Sequence, residues 1–267
     1  MPVLAPARVT SNAQISDILY WITFQSPEIV SSSRPGQFVH MINSDSQDPL
    51  LRRPYSLSAI DADSARASIL YHAVGRGSEW LAQRRPGDLI DSLGPLGSAF
   101  EFAPGSQRVL MVGGGIGMGP LIALAGDAET AGIECVLLNG ARSAEGLVPP
   151  EFIPVSTEFH AATDDGSFGA KGSVVDLVER WFGWCDQVFA CGPNPMLRAL
   201  EVSVKRLSPV HSSARKPVQM ALEARMACGV GVCYSCVHPT RRGPKRVCTE
   251  GPVFDMRELL WDWESGI

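Results

Sequence analysis

Over the first hundred residues, apolar and polar positions alternate in short β-type runs separated by turn-forming clusters. The runs are residues 5–10, 18–24, 37–41, 55–60, 68–74 and 88–92. Between them lie Ser31-Ser32-Ser33-Arg34-Pro35-Gly36, Asn43-Ser44-Asp45-Ser46 and Arg85-Pro86-Gly87-Asp88. Short strands at this spacing predict a small antiparallel barrel, interrupted by one helix near 78–84. After residues 100–106 the rhythm changes. Short apolar strands at 109–112, 135–138, 157–161 and 187–191 alternate with helical patterns at 120–131, 173–182 and 195–207. This alternation predicts a parallel sheet covered by helices, with ligands at the carboxyl ends of its strands. From about residue 210 the pattern is irregular and cysteine-rich, ending in Leu259-Leu260-Trp261-Asp262-Trp263. The expected organisation is multidomain, β followed by α/β: a barrel over 1–103, an α/β domain over 104–210 and a small module over 211–267.

Composition narrows the class. At 267 residues, 45% hydrophobic and 19% charged, the chain is globular rather than disordered. Its 26 glycines and 20 prolines exceed their usual combined share of ~12%, which points to many tight turns. A net charge of −5 argues against a broad nucleic-acid footprint. The start carries no charged-then-apolar signal layout. The longest uncharged run, 109–126, holds six glycines and Pro120, and reads as strand, turn and helix rather than a membrane span. The expected compartment is therefore the reducing cytoplasm. There, four of seven cysteines crowded between 228 and 248 favour a metal site over disulfides.

Those four, Cys228, Cys233, Cys236 and Cys248, spell C-x4-C-x2-C-x11-C. The opening spacing is that of plant-type [2Fe-2S] ferredoxins. A tetrahedral zinc site would usually show two C-x2-C knuckles, and only one exists here. Gly229 and Gly231 suit a loop that must turn its N–H groups toward sulfur. Structural zinc and inert buried thiols are the competing readings. Cys135 and Cys185 read as core packing. Cys191 differs, because it precedes Gly192-Pro193 at the end of a predicted parallel strand. His238 is a conceivable fifth ligand, but four cysteines already suffice.

Two glycine-bearing turns then stand out. Gly113-Gly114-Gly115-Ile116-Gly117-Met118-Gly119-Pro120 joins a strand to a helix but does not satisfy G-x-G-x-x-G. Its glycines would still let a pyrophosphate approach backbone N–H groups at a helix start. Cys191-Gly192-Pro193-Asn194-Pro195-Met196 lies where a parallel sheet brings it alongside. In the barrel, Arg53-Pro54-Tyr55-Ser56 offers a cation, a flat aromatic and a hydroxyl, and Gly75-Arg76-Gly77-Ser78 opens a helix with Ser78 as candidate N-cap. Each motif alone is also compatible with a packing turn or a solvated strand edge.

In this order and spacing, these motifs resemble the ferredoxin-reductase-like flavoprotein superfamily. The block Glu223-Ala224-Arg225-Met226-Ala227-Cys228 through Cys236, then Arg246-Val247-Cys248-Thr249-Glu250-Gly251-Pro252-Val253-Phe254, resembles the electron-transfer subunits of type B dihydroorotate dehydrogenase. The resemblance implies a barrel binding FAD, an α/β domain binding NAD, and a [2Fe-2S] cluster on the four cysteines. Arg53 would hold FAD phosphates, with Pro54 beside it, Tyr55 would pack on the flavin and Ser56 would approach its ring. Leu70, Tyr71 and His72 would line the flavin by backbone, and Gly77 and Ser78 would meet the pyrophosphate. Gly114, Gly115, Gly117, Cys191, Gly192 and Pro193 would surround NAD, and no residue is assigned as a catalytic acid or base. Arg76 and Ser78 stand where Lys and Thr are more usual, keeping the charge and the hydroxyl.

The implied partner is an FMN-containing TIM-barrel subunit that oxidises dihydroorotate, in a heterotetramer with two of each chain. Arg241, Arg242, Lys245 and Arg246 would form either a docking rim for it or a solvated hairpin tip. The alternatives are a reductase subunit of a ferredoxin:NAD(P) or sulfhydrogenase complex, and a non-enzymatic zinc-stabilised adaptor.

Overall fold

The computed structural model describes residues 1–208 and 216–261. Its first sheet contains β1 (Val3–Gln14), β2 (Leu19–Gln25), β3 (Phe38–Met41), β4 (Arg53–Ser56), β5 (Ala59–Asp61), β6 (Arg66–His72) and β7 (Leu89–Leu96). The strands pair antiparallel in the order β4-β3-β7-β1-β2-β6-β5. The sheet curls around Val9, Ile22, Phe24, Val39, Met41, Ile69, Tyr71 and Ile90, with Ile29 and Val30 of the short helix α1 (Pro27–Val30). This is the expected antiparallel barrel in the form of a curled sheet, since no ladder joins its end strands β4 and β5. The run 55–60 is not one strand. Leu57 turns into the core, β4 pairs with β3, and β5 crosses to pair with β6. Helix α2 (Arg76–Ala82) follows β6, slightly earlier than its sequence pattern suggests.

The second sheet contains β8 (Arg108–Gly114), β9 (Glu134–Ala141), β10 (Glu158–Thr163), β11 (Ala170–Lys171), β12 (Gln187–Cys191) and β13 (Val218–Ala221) in parallel. Their order is β11-β10-β9-β8-β12-β13, with β16 (Val253–Asp255) antiparallel at the edge. Period-two alternation divides its side chains between two cores. Leu110, Val112, Val136, Leu138 and Val188 face α4 (Val178–Phe182) and α5 (Asn194–Leu207). Val109, Met111, Leu137 and Phe189 face α3 (Met118–Ala131), which contributes Leu121, Leu124, Ala125 and Ala128. The chain winds outward from β8 through β9 to β10, then returns to the other side of β8 as β12. The strand order therefore switches between β8 and β12, where an open α/β sheet receives its ligand.

β13 and β16 carry this sheet past residue 210, so the cysteine-rich segment is built onto it. The boundary expected at 210/211 lies outside the described residues, as do Asp262 and Trp263. The segment adds a hairpin, β14 (Val237–Thr240) and β15 (Gly243–Arg246). The units share packing: Leu19 and Leu70 of the first sheet lie in the α3-side core, and Phe38 and Leu96 in the α5-side core.

Candidate functional site

The ends of β8 and β12 lie side by side, with Cys191 in register with Gly113. A Cβ on Gly117 would stand 2.4 Å from the Cys191 carbonyl oxygen, and one on Gly114 would stand 2.7 Å from Met196 Sδ. Only glycine permits this approach. A Cβ on Gly115 would meet nothing within 4 Å, so that residue borders open space. Gly114, Gly115, Gly117, Cys191, Gly192 and Pro193 are thus brought together at the switch point. Cys191 is buried, and its thiol is raised far above its ordinary value by burial and then by the charge of Glu223. Glu223, just past β13, is itself pushed up by desolvation of its carboxyl although the residue stays solvent-accessible. It was read only as part of a resembling block, and its place beside Cys191 has no local sequence signal.

The first turn of α3 presses on the barrel. A Cβ on Gly119 would stand 2.5 Å from Ser58 Oγ, which accepts from the Leu70 N–H at 2.9 Å. β5 covers β6 only from Arg66 to Ser68, so beyond Ser68 that edge of β6 carries no strand. Tyr55 and Tyr71 meet edge to face at 6.2 Å between ring centres. Tyr71 is buried with its hydroxyl donating to Asn12, so its ring belongs to the barrel core. His72 is half-buried at the end of β6. Burial raises both tyrosine hydroxyls well above their ordinary value.

Asn43, read in the sequence only as a turn residue, ties these parts together. Its amide donates to Tyr55 Oη at 2.8 Å and to the Gly77 carbonyl at 3.1 Å. The Arg53 side chain runs beside Gly77, within 3.7 Å of where a Cβ would stand. The Arg-Pro-Tyr-Ser strand and the Gly-Arg-Gly-Ser turn therefore converge. Ser78 is not the N-cap of α2. Gly75 is, and Ser78 reaches back from the first turn, accepting from the Val74 and Gly75 N–H groups. Asn43 Oδ1 is buried without a partner, an acceptor left for a donor-bearing ligand. A flat ring system with a phosphate tail fits this combination of an open strand edge, a half-buried aromatic, a cation and a glycine turn.

The cysteine loop folds against the second sheet. Gly229, Gly231 and Tyr234 adopt left-handed backbone, with φ of +72°, +81° and +60°. Cys236 and Cys248 are buried, and the Cys248 N–H donates to Cys236 Sγ at 3.4 Å. Cys233 is exposed, its sulfur 3.2 Å from Ser235 Oγ. Hydrogen bonds from Ser235 and then Cys228 draw its thiol down to about 6. Burial, followed by Cys236, pushes Cys248 up to about 12. The thiols thus meet two and two, Cys228 with Cys233 and Cys236 with Cys248. No three His, Cys, Asp or Glu side chains gather as around one ion among the described residues. A two-iron cluster, with two thiolates per iron, fits this donor set. His238 lies edge-on to Trp261 at 5.6 Å between ring centres. Cys135 and Cys185 are buried with thiols raised to about 12 and about 11, as core residues are.

Three of the four cations of the basic hairpin pair with two carboxylates of the same chain. Glu250 holds Lys245 at 2.9 Å and Arg246 at 3.0 Å, and Arg246 also donates to the Gly231 carbonyl at 3.1 Å. Arg242 pairs with Glu258 at 3.4 Å. Its main work is to brace the cysteine loop.

A model of the iron–sulfur cluster binding domain of dihydroorotate dehydrogenase B matches residues 223–260. The electron transfer subunit of NAD(+)-dependent dihydroorotate dehydrogenase B from Bacillus caldolyticus is 40% identical over 257 residues, covering 94% of this chain and 96% of that one. The chain belongs to this family of electron transfer subunits. The Desulforamulus reducens member is 36% identical over 265 residues, covering 96% of this chain and 98% of its own. Among solved structures, an NADH-dependent reduced ferredoxin-NADP oxidoreductase superposes with a TM-score of 0.82 at 27% identity, over 96% of this chain and 90% of that one. A Neisseria gonorrhoeae ferredoxin NADP+ reductase with bound FAD and NADP, at 15% identity, shares the fold with a TM-score of 0.65, over 81% and 97%. As an electron transfer subunit, the family member works with a catalytic partner. No helix among the described residues is long and apolar enough to cross a membrane.

Proposed function

We propose that this chain carries electrons from a dihydroorotate-oxidising partner to NAD+, through a [2Fe-2S] cluster on Cys228, Cys233, Cys236 and Cys248 and an FAD on the Arg53–Ser56 face. The observation that carries this reading is the contact of α3 with Ser58 and Leu70. One helix start thereby borders both the nucleotide loop and the open edge of β6, so a nicotinamide and a flavin ring share one cleft. Oxidation of dihydroorotate to orotate releases two electrons and two protons, and NAD+ takes two electrons and one proton. Flavin supplies the conversion between single electrons and the hydride pair.

In that cleft Gly114, Gly115, Gly117, Gly192 and Pro193 shape the nucleotide seat, and buried Cys191 with Glu223 borders the nicotinamide. Arg53, Gly77 and Ser78 serve the pyrophosphate end of FAD. Tyr55, Ser56 and the backbone of Leu70, Tyr71 and His72 serve its ring, with Pro54 on the same strand. The partner is an FMN-bearing TIM barrel in a cytoplasmic heterotetramer with two of each chain. The exposed Val230, Val232 and Tyr234 around Cys233 supply an apolar docking face.

The purified chain should absorb as flavin plus iron–sulfur protein, be bleached by NADH without oxygen, and leave dihydroorotate untouched. Adding the partner should restore dihydroorotate-dependent NADH formation. A colourless protein overturns the reading, and reduction of ferredoxin but no coupling to the dihydroorotate subunit moves the chain to the ferredoxin-linked alternative.

A further inference from the structure

His40 stands on β3 between the two proposed redox centres and has no role in either so far. Its side chain is wholly buried, and neither ring nitrogen has a hydrogen-bond partner. A buried imidazole in this state bears an uncompensated desolvation cost, so its nitrogens call for a partner.

Its surroundings name one. Across β3 and β4, His40 lies opposite Pro54 and Phe38 opposite Ser56, so His40 shares a face with Pro54 and Ser56 of the strand assigned to the flavin, while Arg53 and Tyr55 point to the other face. On its outer side the ring packs against the cysteine loop. A Cβ on Gly229 would stand 2.5 Å from His40 Nδ1, with the imidazole Cε1 and Cγ at 3.2 and 3.3 Å. Gly229 directly follows Cys228. The ring also lies beside the Arg52 and Cys228 main chains, yet no hydrogen bond of good geometry closes at either. Cys228 is one of the four proposed ligands, so a bound cluster would bring sulfur to this stretch of the loop. Thiolate and sulfide sulfurs accept N–H groups, and such hydrogen bonds help set cluster potentials.

We propose that His40 donates a hydrogen bond to a sulfur of the cluster held by Cys228, and so both positions the cysteine loop against the flavin strand and raises the cluster's reduction potential. The direction follows from charge. One-electron reduction adds a negative charge to the sulfur-bearing group, so a fixed donor stabilises the reduced form more than the oxidised form. This inference rests on the cluster assignment above, and the experiment separates the two.

The full chain, loaded with FAD and cluster, is titrated with reductant at fixed potentials while the cluster is followed by electron paramagnetic resonance. Iron and sulfide are assayed in parallel. His40→Phe keeps a flat ring beside Gly229 but removes both nitrogens, and His40→Gln keeps an N–H donor. His40→Phe should retain iron and sulfide while its reduced-to-oxidised ratio at a given potential falls about tenfold, ~59 mV for one electron. His40→Gln should recover part of that shift. In wild-type protein labelled with 15N-histidine, a weak nitrogen coupling to the reduced cluster should appear, and it should vanish in His40→Gln. That measurement decides the case if His40→Phe fails to assemble. An unchanged potential and spectrum in a fully loaded His40→Phe overturns the role of His40, as does the absence of histidine coupling in the wild type. A wild-type chain with no iron and sulfide overturns the cluster assignment instead.

Discussion

The nucleotide loop and the cysteine loop both place glycine where a Cβ would clash, yet their supports differ. Gly117 is helical in its backbone and is required because the Cys191 carbonyl leaves no room for a Cβ. Gly229 and Gly231 adopt left-handed φ of +72° and +81°, and a Cβ on Gly229 would also stand 2.5 Å from His40 Nδ1. The first loop is clamped by two neighbouring parallel strands in register. The second hangs between β13 and the β14–β15 hairpin, braced by Arg246, Glu250 and His40. A loop clamped by a sheet is a rigid seat for a ligand that comes and goes. A loop braced by side chains needs its bound metal to complete it.

The largest effects that test this contrast come from the thiols. Cys233→Ser and Cys248→Ser should each empty the cluster site, read as iron and sulfide per chain, while flavin remains. Their metal-free forms should differ. Cys233 is exposed, so its substitution should leave stability within about 0.5 kcal/mol. Cys248 is core, and a hydroxyl there should cost about 1–3 kcal/mol in denaturant unfolding. Equal losses would erase the distinction between an outer and an inner pair.

Next comes Gly117→Ala, which forces β8 and β12 apart at the proposed nicotinamide seat. NADH reduction of the flavin should fall by up to ~100-fold, as a displacement near 1 Å allows, with flavin and iron contents unchanged. A variant that keeps wild-type kcat/KM would show the clamp to be loose.

A smaller effect concerns coenzyme choice. Arg142 follows β9, where it could serve a 2′-phosphate, but the Asp165 N–H donates to its carbonyl and Asp164 to that of Ala141. Asp164 and Asp165 thus follow the end of β10 next to the end of β9, where an acidic side chain would suit ribose hydroxyls better than a further phosphate. NADH should therefore exceed NADPH in kcat/KM, and Asp165→Asn should narrow the gap.

The smallest effect is on pH. Glu250 is held down at about 2 by the Arg246 N–H, then Lys245 and the Arg246 side chain, against an ordinary 4.5. Its folded value is depressed, so its contribution is complete above pH 4.5 and disappears as pH falls toward 2. Acid unfolding of the metal-free chain should show this loss, and Glu250→Gln should flatten the profile in that window.

Much of the architecture was readable in advance because it rests on local patterns. The curled sheet follows from period-two runs, and the parallel sheet from strand–helix alternation. The predicted strand at 187–191 coincides with β12. The failures are equally specific. The run 55–60 split because its two halves take different partners. Ser78 lost the N-cap to Gly75, since the chain enters α2 one residue before Arg76.

Residue order alone indicates most of the strand and helix segments, which cysteines carry the spacing of a ligand set and which turns tolerate close backbone approach. Those depend on spacing within a few residues and on the conformational range of each residue type. Tertiary packing alone decides that Asn43 bridges Tyr55 and Gly77, and that His40 lies against Gly229. Each joins residues remote in the chain, and period and spacing carry no term for such contacts. They exist only once both sheets have packed and the buried polar atoms must find partners.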